Sequence, residues 1–147
     1  METNNKANFN WYPGHMAKTR RQIENDLKII DVVIELLDAR IPMASRNPDI
    51  KKLTQNKRRI ILLNKCDLAD EVSNIKWVSK LSKEAPTILT DSNSGKGIDK
   101  VTKAIDTIMA DEIARQAARG RVNKTIRVMI LGIPNVGKSS FINRISK

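Results

Sequence analysis

Four short apolar runs, alternating with stretches of helical spacing, leave this chain few ways to fold. Residues 31–37 form a mostly apolar run that opens on Asp31 and is interrupted by Glu35, and residues 59–63, 86–89 and 126–131 form three more, with Arg59, Thr87 and Arg127 as their polar members. Runs of this length, apolar on both faces, fit strands buried in a parallel sheet. Between them lie helical segments. Residues 17–28 read as a basic helix with Ile23 and Leu27 four apart on its inner face. Asn47-Pro48 supplies an N-cap and a first-turn proline for a helix to about residue 55. Residues 73–83 form the next helix. Residues 97–119 form a long one, with Ile98, Val101, Ile105 and Ile108 on one stripe and Gly120 to end it. Lys138 opens a last helix, expected over 138–147. Regular alternation of strand and helix predicts an α/β fold, a parallel sheet with helices on both faces. Ligands of such sheets bind beyond the carboxyl ends of the strands. The N-terminus reads differently: residues 1–10 are polar and expected to fray, and residues 11–16 form an aromatic turn broken by Pro13-Gly14. The expected division is a segment 1–16 followed by a nucleotide-binding domain over 17–147.

The most informative strand end is the last. Gly132-Ile133-Pro134-Asn135-Val136-Gly137-Lys138-Ser139 matches the phosphate-loop pattern G-x-x-x-x-G-K-[ST] of the P-loop NTPase fold. A strand delivers the chain to the loop, and glycines let backbone N–H groups approach phosphate oxygens. The helix that follows presents its positive end to them. Val136, Gly137, Lys138, Ser139 and Ser140 are the candidate phosphate contacts. Lys138 adds a point charge for the β- and γ-phosphates, and the Ser139 hydroxyl suits Mg²⁺.

A second motif, Asn64-Lys65-Cys66-Asp67, follows the second strand. The Asp67 carboxylate can accept from the N1–H and exocyclic amine of guanine. Adenine lacks that donor pair and would leave a buried carboxylate unpaired. Asn64 can hold the loop and reach another base edge, and the Lys65 stem can cover the ring. The bland alternative is a polar turn after a strand. Cys66 fills the variable slot and is read as packing. Asp91-Ser92-Asn93-Ser94-Gly95-Lys96-Gly97 follows the third strand and is a candidate to close over the base, with Asp91 and Ser92 in contact; its alternative is a flexible Ser/Gly loop. Asp38-Ala39-Arg40 ends the first strand. It is either a turn whose side chains satisfy backbone groups or a brace for the N-terminal turn.

Charge bears on partners. Lys and Arg number 27 against 16 Asp and Glu, a formal net charge of +11. Such an excess points to an anionic partner, most commonly nucleic acid. The single cysteine, Cys66, allows no intrachain disulfide, so a cytoplasmic location is the simple expectation. No apolar run approaches the roughly 18 residues that span a bilayer, and no membrane partner is expected.

The order of the motifs carries a resemblance. In ordinary Ras-like GTPases the phosphate loop precedes N-K-x-D; here it follows. The chain resembles the circularly permuted GTPases, in their bacterial ribosome-assembly branch. The match rests on Trp11-Tyr12-Pro13-Gly14-His15-Met16-Ala17-Lys18, Asp38-Ala39-Arg40-Ile41-Pro42, Ser45-Arg46-Asn47-Pro48, the N-K-C-D stretch and the phosphate loop. The loop 91–97 resembles the S-A-x-x-G-x-G loop of such proteins, with Asp91 and Ser92 as departures. The resemblance implies binding of GTP and GDP with Mg²⁺, and GTP hydrolysis coupled to maturation of the large ribosomal subunit with rRNA contact. It implies a water-positioning role for His15, the chain's one histidine, and a K⁺ contact for Asn135. A monomer is expected. The alternative is a non-enzymatic basic RNA-binding module that keeps a relic nucleotide site.

Two parts of a GTPase are missing from the sequence. No D-x-x-G occurs in it, and only eight residues follow Ser139 in which that motif and a switch threonine could lie. The expectation is an N-terminal portion of a longer protein, a truncated product or expressed fragment. It would bind nucleotide with little hydrolysis, and its sheet would lack the strands that normally follow the phosphate-loop helix, leaving an unpaired edge.

Overall fold

The structure, a computed structural model, describes residues 8–14, 19–121, 125–132 and 136–146. Five parallel strands make one sheet: β1 (Asn8–Pro13), β2 (Val32–Asp38), β3 (Arg58–Asn64), β4 (Thr87–Leu89) and β5 (Thr125–Leu131), in the order β1-β5-β2-β3-β4. Five α-helices accompany them: α1 (Arg20–Leu27), α2 (Pro48–Leu53), α3 (Glu71–Leu81), α4 (Ile98–Ala118) and α5 (Lys138–Ile145).

The expected α/β architecture is present, and the period of two along the strands explains how both faces are covered. Val32, Ile34 and Leu36 of β2 point with Ile60, Leu62, Ile126, Val128 and Ile130 into a core shared with Val101, Ile105 and Met109 of α4 and Phe141 of α5. Their neighbours point the other way. Val33, Met129 and Leu131 meet Ile23, Leu27 and Ile50 of α1 and α2, and Leu37, Ile61 and Leu63 meet Leu81 of α3. The helix ends follow local chemistry. Thr19 and Gln22 form a reciprocal capping box at α1, and the Asn47 and Asp70 side chains cap α2 and α3. Element bounds differ from expectation by one to three residues, because caps rather than apolar periodicity set where a helix starts.

Glu35, the polar interruption in β2, is fully buried and gripped in two-pronged fashion by Arg46, at 3.0 and 3.1 Å. Arg46 also reaches Glu84 at 2.5 Å. A buried carboxylate is tolerable only with such pairing.

The main departure is at the N-terminus. Residues 8–13, expected as frayed chain and turn, form a strand that pairs in parallel with β5, from Asn8 beside Thr125 to Pro13 beside Ile130. Strand β5 is thereby paired on both sides, and the edges of the sheet are β1 and β4. Trp11 packs edge-on against Phe141 at 6.3 Å and tilted against Phe9 at 5.8 Å, giving this strand an apolar face that its polar surroundings in the sequence obscure. Gly14 follows at a point with no room for a side chain: a Cβ there would collide with Leu131 Cδ2.

Candidate functional site

The carboxyl ends of β5, β3 and β4 bring the sequence-predicted residues together. After β5, Gly132 passes so near the end of β2 that a Cβ would lie 2.9 Å from the Leu36 carbonyl oxygen and from Val136 Cγ2. Gly137 takes φ +91°, and a Cβ on it would lie 2.7 Å from Asn64 Nδ2. Both requirements select glycine. Gly137 caps α5 without any side-chain hydrogen bond to the helix, so the first N–H groups of α5 are left for another acceptor. Ser139 and Ser140 are exposed there. The Val136 side chain instead faces inward, 2% exposed, so only its backbone serves the loop. Lys138 donates to the Gly14 carbonyl at 2.6 Å, and burial pulls its pKa below the ordinary lysine value. His15 and Asn135 lie outside the described residues.

Asn64 is the hub. Its side chain is 2% exposed. Its Nδ2 donates to the Val136 carbonyl at 3.0 Å. Its Oδ1 accepts from the Thr90 hydroxyl at 3.1 Å, the Ser92 N–H at 3.1 Å and the Ser92 hydroxyl at 3.0 Å. One side chain thereby ties three loops: the one after β3, the one after β4 and the phosphate loop. With these partners Asn64 organises the site from beneath, which is the first of the two tasks the sequence left open for it.

Lys65 stands beside it in the left-handed region at φ 62°, and its Nζ lies 3.8 Å from Asp38 Oδ2. Asp38 also holds the Arg40 guanidinium at 2.7 Å and accepts from the Arg40 N–H. The hydrogen bond from Arg40 holds its carboxyl below the usual range. These contacts are those of a strand-end turn; residues 15–18, most of the N-terminal turn that the other reading would brace, lie outside the described residues. Cys66 is buried, its N–H donating to the Thr90 carbonyl at 3.1 Å, which agrees with a packing role; burial pushes its thiol pKa up.

Asp67 sits at the rim with its side chain 43% exposed. A hydrogen bond shared with Asp91, then the Lys96 ammonium at 3.3 Å, hold its carboxyl below the usual range. Asp91 accepts from the Asn93 N–H at 3.1 Å and pairs its backbone with Lys96, which shapes the loop after β4. Gly97 ends that loop at φ +79° against the Leu89 carbonyl, with no space for a Cβ. The loop is an organised structure, not a flexible Ser/Gly link.

Asn64, Lys65, Asp91, Ser92, Gly137 and Ser140 line one open cavity of about 310 Å³. The carboxylate in this lining is that of Asp91; Asp67, Lys138 and Ser139 are not among the lining residues. Among the described residues no group of three or more His, Cys, Asp or Glu gathers as a metal centre. Sequence reasoning missed four contributors. Thr90 and Arg144, which donates to the Ser94 carbonyl at 2.9 Å, belong to no motif, and Lys96 fills a variable slot of the loop 91–97. Gly14 contributes through its carbonyl, which no residue-type pattern marks.

A family model described as "50S ribosome-binding GTPase" matches residues 127–147. Over 138 residues the chain is 46% identical to ribosome biogenesis GTPase A of Bacillus licheniformis, covering 93% of this chain and 49% of that protein. Among solved structures it is similar to GNP-bound YlqF from T. maritima, with a TM-score of 0.64, 33% identity, and coverage of 86% of this chain and 46% of the other. The GDP-bound form matches with a TM-score of 0.62 at 33% identity, covering 84% and 46%. The chain spans about half the length of the curated relatives it matches. Among the described residues no helix is long and apolar enough to cross a membrane.

Proposed function

The chain belongs to the circularly permuted GTPases of the ribosome biogenesis GTPase A type, and from that premise we propose that it binds GTP and GDP as part of a GTPase acting in assembly of the large ribosomal subunit. The observation that carries this reading is the bridge made by Asn64. It locks the base-side loops to the phosphate loop, so one rigid frame faces both ends of a nucleotide.

In this reading the α5 N-terminus and the N–H groups of Gly137, Lys138, Ser139 and Ser140 receive the phosphates. Lys138 exchanges the Gly14 carbonyl for a phosphate oxygen. Asp67, held ionised, receives the guanine donors, and the Lys65 stem covers the ring. The backbone of Asp91 and Ser92 borders the base. Ser139 would hold Mg²⁺, which when bound would offset charge on the β- and γ-phosphates. Asn135 contacts K⁺ and His15 positions water on the resemblance alone. Association with rRNA is supported by the +11 charge. The names of the relatives, ribosome biogenesis GTPase A and mitochondrial ribosome-associated GTPase 1, support the ribosome as partner. The protein acts as a monomer in the cytoplasm. Because the sequence contains no D-x-x-G, these 147 residues alone are expected to turn GTP over weakly.

Competition for a fluorescent guanine nucleotide tests the base preference. GDP should displace it and ADP should not. Displacement by ADP at equal or lower concentration overturns the reading of Asp67.

A further inference from the structure

Five residues separate Arg59 from Asn64 along β3, so roughly 17 Å of extended strand stand between the nucleotide site and the opposite end of the sheet. At that opposite end is a cavity of about 370 Å³, lined by Lys51, Gln55, Lys57, Arg59, Glu84 and Ile108. Its charges do not balance. Glu84 is approached by three cations: Arg46, Lys51 at 3.3 Å and Arg59 at 3.7 Å. Arg46 is already engaged with the buried Glu35 at 3.0 Å. Of the lining residues, Lys51, Lys57 and Arg59 are cationic and Glu84 anionic; behind them Arg46 is matched by Glu35, and the Lys57 ammonium also donates to the Ile30 carbonyl at 2.9 Å, so the excess is two positive charges. Part of the excess is buried. The Arg59 side chain is 10% exposed, and its Nη1 is buried with no hydrogen-bond partner. An unpaired buried guanidinium nitrogen is costly, and proteins keep such groups where something else completes them. Lys51, 65% exposed, stands at the mouth.

We propose that this cavity is a second anion site, which takes a backbone phosphate of an RNA strand, with Arg59 as the seated cation and Lys51 and Lys57 as its flanks. Arginine's planar fork suits a phosphate, and one phosphodiester charge removes half of the local excess. The cavity is open and flanked by chain from α2, β3 and the approach to β4, so a polymer can cross it. Free polyphosphate offers the same chemistry, but the chain-wide charge of +11 favours a polyanion over a small ion. The inference rests on the reading of an RNA-bearing partner and adds the place where the contact is made, remote from the nucleotide.

Anisotropy of a labelled single-stranded RNA oligonucleotide, titrated with the 147-residue chain over a series of salt concentrations, tests it. Lys51→Ala and Gln55→Glu both act at exposed positions. Each should weaken RNA binding three- to tenfold, and Lys51→Ala should lower the log–log salt slope by about 0.7, the value for one single-strand phosphate contact. Lys103→Ala, which removes one exposed charge from α4, should change affinity less than twofold. GDP affinity, measured on the same samples, should stay unchanged in all three variants. Failure of GDP binding in the wild-type chain would count against the nucleotide reading and leave this test standing. Equal RNA affinity and slope in wild type, Lys51→Ala and Gln55→Glu would overturn the site. Cluster-dependent binding of inorganic pyrophosphate, with RNA binding indifferent to the same substitutions, would overturn RNA as its source.

Discussion

Replacing Asn64 with alanine isolates the contact on which the site's geometry depends. The side chain is buried and makes four hydrogen bonds: to the Val136 carbonyl, the Ser92 N–H and the hydroxyls of Thr90 and Ser92. The hydroxyls can rotate to new partners. The Val136 carbonyl and the Ser92 N–H are backbone groups held in place, and each loses this partner. An unsatisfied buried group costs about 1–3 kcal/mol, so the substitution should lower stability by roughly 2–5 kcal/mol, against about 5–15 kcal/mol available to a domain. Urea unfolding followed by tryptophan fluorescence measures it, with the midpoint falling at unchanged slope. GDP affinity should fall with it, since the three loops lose their common tie. Asn64→Asp sharpens the test. It keeps the accepting oxygen for Thr90 and Ser92 but faces the Val136 carbonyl with an oxygen in place of the donor, so nucleotide binding should suffer more than the base-side loops do. A stability loss below about 1 kcal/mol for Asn64→Ala would refute the claim that this residue bears the frame.

Gly137→Ala should cost about 1–3 kcal/mol from its positive φ and its approach to Asn64, with a matching loss of GDP affinity; differential scanning fluorimetry with and without GDP reads both. Glu35→Gln leaves Arg46 with only Glu84 in a buried setting, and a fall of about 2–4 kcal/mol in unfolding free energy is expected from urea titration. The carboxyls of Asp38, Asp70 and Glu84 are held below their usual pKa, by Arg40, by the Ser73 N–H and by Arg46 respectively. The unfolded chain then binds more protons, so stability should be full above about pH 4.5 and fall as pH drops through the folded-state values. Thermal midpoints between pH 3 and 6 should show this, with Asp38→Asn shallower than wild type.

The fold class and the two nucleotide motifs were legible because they are local. A buried parallel strand writes itself as a short apolar run, as at Ile60 to Leu63, and a phosphate loop needs Gly137, Lys138 and Ser139 in fixed succession whatever surrounds them. Loop 91–97 was legible as a loop, though not as one ordered by Asp91, Lys96 and Gly97. Strand β1 was not legible. Its partner β5 is more than a hundred positions away, two asparagines and a proline interrupt its aromatics, and its pairing with β5 and the packing of Phe9 and Trp11 are tertiary contacts.

The sequence alone settled that the chain carries a phosphate loop preceded by a guanine-type motif, because those requirements are met by residue type and spacing. Tertiary structure decided what the side chains do there. It gave Asn64, expected to hold its own loop and reach a base edge, the bonds that tie three loops, turned Val136 inward, gave Lys138 the Gly14 carbonyl, and placed three cations around Glu84 at the far end of the sheet. Each depends on which segments meet in space, and burial and hydrogen-bond satisfaction act between residues that no spacing in the chain relates.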